Sequence, residues 1–274
     1  MPYARAHYFL AALLPLIGLA FWPFYFSRLA ESPLAIHAHG VTASAWLLLL
    51  ILQSWAIHHR RTDLHRAAGR ASFILFPLFL VGGLMVLHTM ARALAAAANP
   101  FQDAFGAGLG AHDLLAVATF AWLYYSALRQ RRNVQLHARC MLATPLLLLA
   151  PIFSRVFVDH VPGLKITGPE TLSLFTASLY LANALTLAVA LALYAGAPRF
   201  GRPFLVVAVM VLLQCASFGW LNGSPAWRAF YGSLGSLPVA VPVVLGLLAG
   251  TAIVWWGWRG PQPKGGRRPL PETA

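Results

Sequence analysis

The sequence is short of charge, and of negative charge above all: only 10% of its 274 residues are charged, 7 Asp or Glu against 20 Lys or Arg. A soluble domain carries about 25% charged residues to cover its surface, so a water-exposed globule of this length is excluded. Cysteine is scarce too. The 2 cysteines, Cys140 and Cys215, form no C-x-x-C, which argues against a disulfide framework or a zinc site and leaves them as small apolar core residues. There is no phosphate-binding glycine loop, no Ser/His/Asp set and no convincing internal repeat. These gaps remove the usual soluble enzyme classes.

What is present in excess is apolar sequence, at 59% hydrophobic residues and a mean hydropathy of +0.68. A membrane-crossing helix needs about 20 mostly apolar residues. Eight runs qualify, near 8–26, 34–58, 70–91, 105–128, 137–157, 172–195, 203–221 and 236–257. The expected fold class is all-α, a polytopic membrane helix bundle of about eight transmembrane helices. It forms a single transmembrane domain over 1–259, followed by a basic, Pro/Gly-rich tail over 260–274. Pro15 and Pro23 interrupt the first run. Arg28 lies where a signal-peptide cleavage site wants a small side chain, so that run is read as an uncleaved helix.

The +13 net charge sorts by side of the bilayer. Arg5, the group Arg60, Arg61, Arg66 and Arg70, the group Arg129, Arg131, Arg132 and Arg139, the pair Arg199 and Arg202, and the tail residues Arg259, Lys264, Arg267 and Arg268 all fall on one face. The other face receives Arg28, Arg92, Arg155, Lys165 and Arg228, matched by Glu31, Asp103, Asp113, Asp159 and Glu170. The positive-inside rule then places both termini in the cytoplasm. The expected location is the bacterial inner membrane, multi-pass. The basic excess becomes an orientation signal and a hold on anionic lipid, with no nucleic-acid partner.

Ionisable groups at hydrocarbon depth mark functional sites, and nine of the 10 histidines fall into two layers. His37, His39, His88 and His112 share an outer depth with Asp113, Arg155, Asp159 and His160. His58, His59, His65 and His137 lie among arginines at the inner interface, where a solvated or headgroup-facing role is the plain reading. Imidazole is the commonest metal ligand and serves axially on haem iron. The outer layer therefore makes His37, His88 and His112 the metal-ligand candidates, with His39 as substitute for His37 and Arg155 facing an anion such as a propionate. Arg155 can instead pair with Asp159 at i+4. His37 and His39 stand about 200° apart round the helix, so one site cannot use both. His39, Trp46 and Gln53 share one stripe. His137, Met141, Thr144, Leu148 and Arg155 share another. The run Gly106 to Gly110 before His112 reads either as a close helix contact or as room for a flat cofactor.

Residues 37–70 carry His37-x-x-Gly40, Gln53 and Leu64-His65-Arg66-x-x-Gly69-Arg70. This resembles the H-x-x-G…Q…L-H-R-x-x-G-R signature of a group of uncharacterised bacterial multispan membrane proteins. Its H-R-x-x-G-R step is similar to that of ferric-reductase-like and other b-type cytochrome membrane proteins. Leu136-His137-Ala138-Arg139-Cys140-Met141 resembles the start of a helix in small membrane proteins of cytochrome oxidase biogenesis. The likeness covers 34–158. It implies a haem- or metal-binding redox protein carrying b-type haem, copper or iron, linked to quinone, to respiratory-chain assembly or to other membrane subunits. No helix holds two histidines about 13 residues apart, so a two-haem wire is not expected. The competing expectations are a solute or proton transporter using the outer His/Asp/Arg groups, and a non-catalytic subunit of a membrane complex.

Overall fold

A computed structural model describes residues 3–260, so the tail from 261 onward lies outside the described residues. Among the described residues there are ten α-helices and no strand: α1 (Ala6–Phe21), α2 (Leu34–His58), α3 (Thr62–Ala95), α4 (Pro100–Arg129), α5 (Val134–Ala143), α6 (Leu149–His160), α7 (Leu174–Ala195), α8 (Arg202–Leu221), α9 (Pro225–Leu234) and α10 (Ala240–Arg259). Seven spans are long and apolar enough to cross a membrane, with α5 and α6 counting as one. The chain is an all-α, multi-pass membrane bundle.

The first run is shorter than its composition suggests. Helix α1 stops at Phe21 after 16 residues, roughly 24 Å, because Pro23 cannot donate into a continuing helix. Phe26–Glu31 then forms a separate 3-10 turn. Even so, α1 reaches from one polar layer to the other. At its start Tyr3 meets Phe204 edge-on and the His7 ring lies 6.3 Å from that of His59. At its end Phe21 lies under the Arg155 guanidinium. The fifth expected span is one crossing in two pieces, α5 and α6, joined by a 3-10 stretch over Thr144–Leu148 that contains Pro145.

Side-chain caps fix three helix starts. Asn99, Asn133 and Ser224 accept from the backbone N–H of Gln102, Leu136 and Trp227 respectively, meeting donors that a helix start leaves orphaned. Helix α9, which no apolar run marks, lies across the Arg-poor face. The Tyr231 hydroxyl donates to the Leu87 carbonyl at 2.8 Å, and the Trp227 indole donates to the Ala107 carbonyl at 2.8 Å. Arg228 pairs there with Asp103.

Helix α3 is the pivot, packed between α2 and α10 and against α4. A Cβ on Gly82 would meet the His39 Cα at 2.8 Å, and one on Gly250 would meet the Pro77 Cα at 2.5 Å. Backbones touch there, as small residues permit in membrane bundles. At the centre Trp46, Phe76, Phe120 and Tyr124 are buried, and the Trp46 indole donates to the Thr144 hydroxyl at 3.0 Å. Trp46→Phe keeps an aromatic ring and removes this bond, so it is expected to cost about 1 kcal/mol. Thermal unfolding in detergent checks it by a fall of a few degrees.

Candidate functional site

Three helices and the broken α5–α6 crossing direct side chains at a common axis. On α2 the stripe runs His39, Trp46, Gln53; on α4, Asp113, Phe120, Tyr124; on α3, Phe79, Phe76, Ser72, Gly69, His65. Arg155, Thr144, Met141 and His137 complete it from α6, the 3-10 joint and α5. Ring contacts establish the convergence: Trp46 lies 5.0 Å from Phe120 and 5.3 Å from Tyr124, Phe76 lies 4.2 Å from Tyr124, and Phe79 lies 4.4 Å from Phe120 and 5.4 Å from His39. An aromatic plug thus separates a polar group at the Arg-poor end from another at the basic end.

The expected ligand trio is not assembled. His37 Nδ1 shares a hydrogen bond with the Tyr25 hydroxyl at 2.9 Å, on the side of α2 away from His39. His88 donates from Nε2 to the Leu237 carbonyl at 2.8 Å, in the link between α9 and α10. His112 donates from Nδ1 to Asp113 at 3.0 Å and faces Asn183 of α7 and Gln214 of α8, whose amide donates to the His112 carbonyl at 2.9 Å. Among the described residues no three His, Cys, Asp or Glu side chains are placed to hold a metal ion. The glycine run leaves no room for a flat cofactor either, because a Cβ on Gly108 would strike Asn222 and Phe218 and one on Gly110 the Tyr231 ring. Helix contact accounts for it. Of the outer candidates, only His39 and Arg155 face the axis, and Asp113 joins them.

The cavity lies at the opposite end, at the basic face. It measures about 450 Å³, and its walls include Gln53, Ser54 and His58 of α2, His65, Arg66, Gly69 and Arg70 of α3, Tyr124 of α4, and His137 and Met141 of α5. The Gln53 to Arg70 part of the first resembling segment and the second segment therefore meet in one place, while His37 and Gly40 lie against Tyr25. Gln53 donates to the His65 carbonyl at 3.1 Å, tying the end of α2 to the start of α3. Gly69 makes that possible, since a Cβ there would lie 3.3 Å from the Gln53 amide nitrogen. Tyr124 donates to Ser72 at 2.7 Å, because the Ser72 proton is taken by the Gly69 carbonyl at 2.6 Å.

Two imidazoles are held in a defined tautomer. His58 Nδ1 lies 2.7 Å from the Ser54 carbonyl and His137 Nδ1 lies 2.9 Å from the Ala127 carbonyl. A carbonyl only accepts, so each Nδ1 carries hydrogen and each Nε2 keeps a lone pair. Metal-ligating histidines characteristically carry this second contact. His58 Nε2, His65 Nδ1, Ser54 Oγ and Gln53 Oε1 are buried without a hydrogen-bond partner, a costly arrangement in an apolar wall.

The cavity's charge is of one sign. Arg66, Arg70 and Arg131 line it and no carboxylate does. Arg66 and Arg70 are exposed at the mouth. Arg131 packs on Trp258 and donates to the Leu128 carbonyl at 3.0 Å. Desolvation first, then the charges of Arg132 and Arg129, lower the Arg131 pKa from the ordinary guanidinium value. Leu50, Ile57, Phe73, Leu128 and Leu142 make the rest of the wall apolar.

Three of the four inner histidines, His58, His65 and His137, which depth alone marks as plain interfacial groups, thus line the cavity, while His59 stacks on Trp55. The stripe from His39 to Gln53 and the stripe from Arg155 to His137 carry the signal for this, since their inner ends lead to it. No family model, curated protein or solved structure matches the chain.

Proposed function

We propose that the chain is an integral membrane redox protein that binds one b-type haem in the cavity at its basic face. The observation that carries this is the pair His58 and His137, each with Nδ1–H on a backbone carbonyl and Nε2 as a lone pair, in the wall of a cavity ringed by arginine. The donor set fits the group. An imidazole serves as axial ligand, guanidinium groups match carboxylates such as propionates, and the apolar wall suits a macrocycle. A volume of about 450 Å³ lies within the roughly 300–1,000 Å³ of small-molecule sites. His58 and His137 would hold the iron, Arg66 and Arg70 the anionic edge. Haem would supply a one-electron couple there, while the aromatic plug of Trp46, Phe76 and Phe120 excludes water from the far side. Lys and Arg crowd the cavity end, which supports placing it on the cytoplasmic side of a bacterial inner membrane. The motif resemblance over 34–158 supports the same chemistry.

Titrating the purified protein with haemin and recording oxidised and reduced spectra tests it. One equivalent per chain with Soret and α bands is expected. An unchanged free-haemin spectrum overturns the reading.

A further inference from the structure

One buried imidazole is not used by the haem reading and does not line the cavity: His7, at the start of α1 and 9% exposed. Its Nδ1 is buried without a hydrogen-bond partner among the described residues. A buried polar atom left so in a native fold points to a bound water or ion. Helix α1 packs on α2, and the ring that this brings beside His7 is that of His59, 6.3 Å away between centres at an interplanar angle of 69°.

His59 ends α2 and does not line the cavity as its neighbour His58 does. Its Nδ1 lies 2.8 Å from the Trp55 carbonyl. The carbonyl only accepts, so Nδ1 carries the hydrogen and Nε2 keeps a lone pair, with the second contact that metal-ligating histidines characteristically have. The ring is held flat on Trp55, 4.6 Å between centres, which fixes its direction. His59 is exposed, so an ion reaches it without crossing the bundle.

The ring separation selects a coordination geometry. With a nitrogen–metal bond of about 2 Å, a ring centre stands roughly 3 Å from the ion. Two imidazoles opposed across one ion then stand about 6 Å apart, whereas two corners of a tetrahedron bring them to about 5 Å. The observed 6.3 Å matches the opposed, two-coordinate case, which is the habit of monovalent copper, and imidazole suits copper. Charge selects the same ion. Arg5 stands two residues before His7, and Arg60 and Arg61 directly follow His59, all three exposed; like charge disfavours a dication more than a monovalent ion. We infer that His7 and His59 form a two-coordinate copper(I) site at the basic face, with His7 Nδ1 and His59 Nε2 as its ligands. Two ligands suffice for this ion, so the site is compatible with the absence of any set of three metal-holding side chains among the described residues. It needs neither haem nor the cavity.

Anaerobic titration of the haem-free protein with copper(I), in competition with a chromophoric copper(I) chelator, tests it. One equivalent per chain is expected, with the X-ray absorption edge of a two-coordinate nitrogen site. His7→Ala and His59→Ala each lower the affinity at least about 100-fold, whereas His137→Ala leaves it unchanged. His59 is exposed, so His59→Ala keeps the fold, read by circular dichroism, and decides the matter even where His7→Ala does not. Haemin titration of the His7→Ala/His59→Ala protein stays at the wild-type level, which separates this site from the haem reading. No copper(I) bound by the wild type, full affinity in a folded His59→Ala protein, a four-coordinate spectrum, or zinc(II) held as tightly as copper(I) overturns the proposal.

Discussion

Alanine at His137 is expected to abolish stoichiometric haem binding, with a loss in affinity of at least about 100-fold. Removal of a coordinating imidazole deletes a ligand outright, and even groups that only orient such ligands cost roughly 10–100-fold in metal affinity. His137 is held from α4 through the Ala127 carbonyl at 2.9 Å, so its lone pair is fixed before any ligand enters. His58→Ala is expected to act in the same direction. The comparison that isolates the effect is with His37→Ala, His88→Ala and His112→Ala. These side chains are engaged by Tyr25, Leu237 and Asp113, all away from the cavity, so haem binding by those variants stays at the wild-type level. Haemin titration together with circular dichroism reads the two properties separately. A His137→Ala protein that stays helical and still binds haem at full strength would remove His137 from the site. Equal losses in all five variants would point to general unfolding.

Valine at Gly82 is expected to cost more stability than the loss of any single hydrogen bond in the bundle. An added Cβ would stand 2.8 Å from the His39 Cα, 2.9 Å from its nitrogen and 3.1 Å from the Ala38 carbonyl carbon. No rotamer change relieves a clash with backbone, so α2 and α3 must separate along their whole contact. Overpacking costs about 1–3 kcal/mol and occasionally more, and this position belongs at the upper end. A fall in Tm on the order of 5–10 °C follows for a chain of this size. Gly18 is the control, with nothing within 4 Å of its would-be Cβ; Gly18→Val leaves the Tm within about a degree or two, as a change without new contacts does. Moving α2 also shifts Gln53 against His65, so Gly82→Val is expected to weaken haem binding as well, though the site lies at the far end of the helix.

Depth along the helices is legible in the sequence, because hydropathy and the Lys/Arg bias report where a residue lies relative to a bilayer. The apolar runs mark the helices and the faces. Both histidine layers are present in the fold, and the 200° offset between His37 and His39 keeps them apart: one meets Tyr25, the other Phe79. The stripe from His39 to Gln53 also lies where helical periodicity puts it, within the single helix α2, whereas the segment from His137 to Arg155 is broken by the 3-10 joint over Thr144–Leu148. The first run ends early at Phe21 for a reason already visible in Pro23. Helix α9 is hidden because 10 mixed residues carry no spanning signal.

Which histidines share a site is decided only by the tertiary structure. Periodicity fixes the angle of each side chain relative to others on its own helix, and says nothing about how that helix is rotated against its neighbours. That rotation is set by close approaches such as Gly82 on His39 and Gly250 on Pro77, and by Trp46 reaching Thr144 across 98 residues of chain. Once set, it turns His88 and His112 away from the axis and brings Gln53, His58, His65 and His137 together. The sequence by itself determined a basic-faced helical membrane protein with two layers of ionisable groups. Only the packing determined that the layer among the arginines lines a cavity.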